Sequence, residues 1–241
     1  MESRTYRHWV DSKDLTTFNI TIRETDLHIS AASNLKSEAI RISNKYRSLL
    51  EKYIERHHAF LTSLEPLPDN DNAPRIVKQM LTAAQKTGVG PMASVAGAIA
   101  EFVGNELLAF SPEIIVENGG DIYLKSRRNR IVGIYAGDSS LSGKIGLEIE
   151  GQDSPLGICT SSGTVGHSLS YGKADAVIAL SHSATIADAA ATAIGNSVSQ
   201  PADISSGIEF SKRIDGLRGV VIIIADNIGL WGEIKLCHTT V

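Results

Sequence analysis

Little in this sequence of 241 residues could brace a fold from outside its core. It has two cysteines, Cys159 and Cys237, too few for a disulfide framework. The opening stretch MESRTYRHWVDSKD has no apolar run of the kind a secretory leader needs, so a reducing cytoplasm is the expected setting. The longest apolar run is Val220 to Ala225, far short of the ~20 residues of a membrane helix, so no membrane association is expected. A net charge of −4 gives no electrostatic case for nucleic acid as a partner. The one compact basic group, Arg127, Arg128 and Arg130 in KSRRNR, reads as the solvated tip of a hairpin. Aromatics are scarce at 5%, which leaves Gly, Ala and Ser to bring backbone close to backbone. With 42% apolar and 21% charged residues, the chain is globular rather than disordered.

Residues 15–33 read as a hairpin: Phe18, Ile20 and Ile22 alternate, then Leu27 and Ile29 alternate after a polar turn. Residues 36–60 read as a long helix with Asn34 as its cap, because Ile42, Tyr46, Leu49, Leu50 and Tyr53 share one face. A connection rich in Pro, Asn and Asp follows at 64–74, then a helix over 75–86 started by Pro74. His57 and His58 read as exposed helix-end residues. The second half carries short β-like runs at 113–117, 121–125, 130–135, 144–150, 156–160, 176–180 and 219–225, with Trp231 in a later strand that packs on the core. Helical stretches at 91–110 and 185–197 interrupt them. Runs of strands with a few long helices predict an α+β fold, with helices on one face of a mainly antiparallel sheet.

Four segments could carry chemistry, and each has a plain structural alternative. GVGPMASVAGAIAEFVG, residues 88–104, is either a tightly packed buried helix or a bare helix N-terminus that attracts phosphate. ENGGDIYL, from Glu117, is either a tight turn or a glycine pair admitting a ligand, with Asp121 aimed into a cleft. GICTSSGTVGHSLS, from Gly157, is either a polar loop or a set of hydroxyls and one His167 around phosphate oxygens. Cys159 on its strand side reads as a small buried apolar residue. ATIADAAATAIG, from Ala184, is a helix that Thr185 can cap, and it sets Asp188 and Thr192 on one face. That pair either contacts one hard cation or only favours the helix.

Taken together and in this order, the four segments resemble the ApbE-like superfamily of FAD:protein FMN transferases. The match is closest to its small cytoplasmic branch, where GVGPM and ENGGD are typical. It runs over about residues 88–200, and ADAAAT with GGD is its most specific pair. The resemblance implies one ApbE-like domain over residues 1–241, with two related, intertwined antiparallel-sheet subdomains of tandem T-fold type and helices packed on one face. It implies Mg²⁺ bound by Asp188, Thr192 and the backbone carbonyl of Ala93. It implies FAD in a cleft lined by Asn118, Gly119, Gly120 and Asp121, with Thr160, Ser161, Ser162 and His167 toward the nucleotide. His167 and Asp121 are the catalytic candidates. The sequence also departs from the transferases. Ala93-Ser94-Val95 stands where they carry Ala-Lys-Gly, and Ser168 to Lys173 replaces their Ile-Asp-Pro-x-Thr-Gly. A flavin binder without chemistry, or another metal-dependent small-molecule enzyme, therefore stands beside transfer or hydrolysis of FAD. The small-residue helices and strand edges would support a homodimer.

Overall fold

The computed structural model describes residues 5–163 and 172–239. A first hairpin, β1 (Thr16–Ile22) and β2 (Thr25–Ala31), precedes four helices: α1 (Lys36–Arg56), α2 (Ala59–Thr62), α3 (Arg75–Thr87) and α4 (Val95–Leu107). A second hairpin follows, β3 (Ile114–Asn118) and β4 (Asp121–Lys125). The small strands β5 (Arg130–Gly133) and β6 (Ile145–Ile149) come next, then the hairpin-like pair β7 (Leu156–Ser161) and β8 (Ala176–Ser181). Helices α5 (Ala184–Asn196) and α6 (Ile204–Ser211) lead to the last hairpin, β9 (Leu217–Ile224) and β10 (Asn227–Gly232), and to β11 (Leu236–His238).

Eight strands form one antiparallel sheet in the order β1-β2-β3-β4-β7-β8-β9-β10. The connectivity hairpin, helices, hairpin therefore occurs twice, and the two runs join where Ile122 of β4 pairs with Ile158 of β7. The helices cover one face through a large apolar core that includes Leu27, Ile42, Met80, Val103, Ile194 and Ile222. A three-stranded sheet, β11-β6-β5, covers the other face, where Val132, Leu147 and Ile149 meet Ile122, Ile158, Ile178 and Val221. Burial on both faces explains why β8 and β9 read as unbroken apolar runs, whereas edge strand β1 alternates. The α+β class and the antiparallel sheet match the expectation from sequence.

Several local expectations change. The helix predicted over 36–60 ends at Arg56, and a four-residue helix follows; Asn34 still accepts from the Lys36 amide at 3.0 Å. The ring of His57 stacks on Tyr53 at a centroid distance of 4.1 Å, as a helix-end residue. The cap of α5 is Ser183, not Thr185, which lies inside the first turn. KSRRNR is not a hairpin tip, because β4 and β5 belong to different sheets. It is a crossover, and Arg130 is only 3% exposed, paired with Asp14 and with Glu113 at 3.1 Å. A buried guanidinium with two carboxylates holds that crossover to the N-terminal segment. Helix α6 escaped the sequence reading because it is eight residues long and carries Gly207, whose missing Cβ lets it lie on Ile222. Trp231 packs against the large core as expected.

Candidate functional site

The seam between β4 and β7 lies under the N-terminal turns of α4 and α5, and most of the predicted residues converge there. Small side chains are what allow it. A Cβ on Gly97 would stand 2.3 Å from the Ala184 carbonyl oxygen and 2.8 Å from Asp188 Cβ. A Cβ on Gly157 would stand 2.3 Å from Ala184 Cα, so α5 rests directly on β7. Gly119 and Gly120 make the two-residue turn between β3 and β4 with φ of 70° and 106°. Positive φ at both positions is the geometry that Asn-Gly turns supply. A Cβ at either glycine would meet no described atom within 4 Å, so none of the described residues crowds this turn.

The turn is anchored on both sides. Asn118 donates to the Ala96 carbonyl at 3.0 Å. Glu117 accepts from the Gly120 amide at 2.8 Å and pairs with Arg7 at 2.9 Å. Arg7 also reaches Asp26 at 2.9 Å, so the N-terminal segment is tied to the turn. Asp121 begins β4 and accepts from the Thr160 amide at 3.3 Å. Asp188 accepts from the Gly97 amide at 2.8 Å and is also bonded by the Ala96 amide. These are first-turn N–H groups of α4, so that helix end is already occupied by a carboxylate. Of the two readings of residues 88–104, close packing through small residues is the one observed. A phosphate does not meet bare amides at Ala96 and Gly97.

Asp121 and Asp188 are both buried. Burial raises the Asp188 carboxyl to about 7, against the pull of the two amides. Burial, then the neighbouring Asp188 charge, raises Asp121 well above the usual carboxylate range. Among the described residues no Lys, Arg or His side chain offsets either charge. Cys159 is hydrogen-bonded to Asp121 and donates to the Ala184 carbonyl at the start of α5 at 3.3 Å. Burial, then Asp121, pushes its thiol up, so it behaves as the small buried residue expected.

Thr192 lies one turn beyond Asp188 on α5 and is half-buried. Ala93 sits on the tight turn Pro91–Ser94 before α4 and packs toward Ala189 and Ala193 of α5. The three expected cation donors thus lie on elements that face one another. Among the described residues no group of three His, Cys, Asp or Glu side chains could hold a metal. A donor set of one carboxylate, one hydroxyl and one carbonyl leaves most of a cation's shell to a ligand. Ser94, where the transferases have lysine, is buried and donates to the Pro91 carbonyl at 2.8 Å. At the end of β7, Ser161 is buried and its hydroxyl has no partner among the described residues, while Thr160 and Ser162 are half-buried. His167 lies outside the described residues.

The sequence reading missed Glu101. It is buried on α4, and its Oε2 accepts from Ser183 Oγ at 2.8 Å and from the Thr185 amide and hydroxyl at 3.0 Å. The available signal was a single acid inside the otherwise apolar stretch AGAIAEFVG of that helix. Arg7 and Glu117 were missed because the partners of an ion pair 110 positions apart leave no local pattern.

Comparison with known proteins follows the same lines. Among relatives, a UPF0280 protein of Methanopyrus kandleri is 43% identical over 221 residues, covering 89% of each chain. A UPF0280 protein of Methanocaldococcus jannaschii is 42% identical over 224 residues, covering 89% of this chain and 90% of its own. Among solved structures, the apo flavinyl transferase ApbE of Pseudomonas stutzeri superposes with a TM-score of 0.57 at 14% identity, over 90% of this chain and 94% of that one. The flavin transferase ApbE of Vibrio cholerae gives 0.52 at 12% identity, over 90% and 96%. At such identities these two show the fold. The family model described as AbpE bacteria matches residues 7–213, and the chain belongs to that family.

Proposed function

We propose that the seam between β4 and β7 binds a flavin nucleotide, FAD, together with Mg²⁺. The observation that carries this reading is the pair of buried carboxylates, Asp121 and Asp188, with no cationic side chain among the described residues to offset them. A buried charge needs a partner or a proton. Here the donors beside Asp188, the Thr192 hydroxyl and the Ala93 carbonyl, are hard oxygens that suit Mg²⁺. The buried Ser161 hydroxyl, without a partner among the described residues, and the lack of any described atom close over Gly119 and Gly120 fit a polar ligand beside that cation. When bound, the cation supplies neutralisation of the charge on a diphosphate.

This chain's own residues do the rest. Asn118 and Glu117 hold the turn, and the turn aims Asp121. Burial and the neighbouring Asp188 charge raise the Asp121 carboxyl well above the usual carboxylate range, which suits it to give or take a proton. Asp188 keeps a negative group at the head of α4, so a diphosphate can approach only with a cation between them. Transfer of FMN to a protein or to water is one outcome of such binding. Binding without turnover is the second reading, and Ser94 favours it: a buried hydroxyl spent on Pro91 cannot replace a lysine charge. The setting proposed is the cytoplasm, with the small molecule as partner.

The test titrates the full chain with FAD, with and without Mg²⁺, follows flavin fluorescence and assays AMP in the same samples. Asp188→Asn runs alongside. Mg²⁺-dependent binding that the variant loses is the expected result, and AMP then separates enzyme from binder. No flavin binding under any condition would refute the proposal.

A further inference from the structure

We propose that Glu101 is a positioning residue: its carboxylate seats the first turn of α5 on α4, and thereby holds Asp188 against the first turn of α4. The two helices clamp each other in opposite directions. Asp188 of α5 accepts from Gly97 of α4, and Glu101 of α4 accepts from Thr185 of α5. Gly97 and Glu101 are four residues apart and Thr185 and Asp188 three, so each pair lies on one face. The backbones between the clamps touch, with Gly97 against Ala184. A slide of α5 along α4 by roughly 1 Å would stretch bonds now at 2.8–3.0 Å beyond hydrogen-bonding range, so neither clamp moves alone.

The chemistry of Glu101 explains why an acid sits in the apolar stretch of α4. Its Oε2 collects one amide and two hydroxyls at the positive end of α5. An apolar side chain would fill the same space and leave the Thr185 amide, itself buried, without that bond. Glu101 thus sets where α5 stands, and with it where Asp188 and Thr192 stand relative to Ala93. The consequence for a bound cation rests on the function proposed above; the seating itself does not.

The experiment measures amide hydrogen exchange in the full chain, with and without FAD and Mn²⁺, for wild type, Glu101→Ala and Glu101→Gln. Amides of β9 report global unfolding. In Glu101→Ala, exchange should rise about tenfold at Thr185 and also at Gly97, which Glu101 does not touch, while β9 stays protected. Glu101→Gln keeps an acceptor oxygen and should restore most of the protection at Gly97. Mn²⁺ affinity should fall roughly tenfold in Glu101→Ala and recover in the glutamine variant. If Glu101→Ala does not fold, Thr185→Val with Ser183→Ala removes two of the three donors and should loosen Gly97 in the same way.

Opening at Thr185 with Gly97 unchanged would overturn the proposal, because Glu101 would then be a local cap only. A wild type that takes up no Mn²⁺, combined with a response at Gly97, would refute the cation reading and leave the positioning role standing. Mn²⁺ uptake equal in wild type and Glu101→Ala, with Gly97 unchanged, would do the reverse.

Discussion

Replacing Gly97 with alanine puts a methyl carbon 2.3 Å from the Ala184 carbonyl oxygen and 2.8 Å from Asp188 Cβ. Ordinary contact begins near 3.4–4 Å, so α5 would have to back away from α4 by about 1 Å. Helix propensity works in the other direction, favouring alanine by about 0.8–1 kcal/mol inside a helix. Overpacking of a tight contact costs about 1–3 kcal/mol. Loosening the bond from Gly97 to Asp188 adds about 1 kcal/mol. The balance is a loss of about 1–3 kcal/mol from a substitution that propensity alone scores as a gain. Equilibrium urea unfolding followed by tryptophan fluorescence reads this, with Gly119→Ala as reference. At Gly119 the added methyl meets no described atom, and the cost, about 1–2 kcal/mol, comes from φ of 70° alone. The two variants should differ in the protection of the Asp188 region, which only Gly97→Ala should loosen. A Gly97→Ala protein as stable as wild type would show that the helices are not in the close contact described.

Two further predictions concern pH and carry opposite signs. His28 is held down to about 4 by burial and then by the Arg7 charge, so its folded value lies below its unfolded one. Its contribution is present above about 6.5 and is lost as pH falls toward 4. A His28→Gln variant should therefore lose less stability in acid than wild type in thermal melts across this range; parallel curves would refute the role of His28. Asp188 is raised to about 7, so its contribution is present in acid and is lost as pH climbs from about 4 to 7. Melts of the cation-free Asp188→Asn variant should show a shallower decline toward neutral pH, the remainder coming from buried Asp121, and an unchanged slope would count against the buried pair.

Periodicity and composition carried the layout because they report local physics. The alternation of Phe18, Ile20 and Ile22, the 3.6-residue stripe of α1 and the Ala-rich α5 each depend on neighbours in the chain. The ADAAAT and GGD segments could be read as one site only through a family resemblance, since Asp121 and Asp188 are 67 positions apart. Their buried proximity, and the raised carboxyls that follow from it, exist only once β4, β7 and α5 stack.

The residues that hold the site were less legible. Glu101 bonds Thr185 across 84 positions, Asp188 bonds Gly97 across 91, and Arg7 pairs with Glu117 across 110. Arg130 looked like surface charge and proved to be a buried tie, because its crossover joins two sheets that no local pattern distinguishes. Local propensity and turn chemistry are written in consecutive residues and survive as sequence. Desolvation and the partner each buried charge finds depend on what packs against it from elsewhere, and those were decided only when the two hairpin-helix-hairpin runs closed on one another.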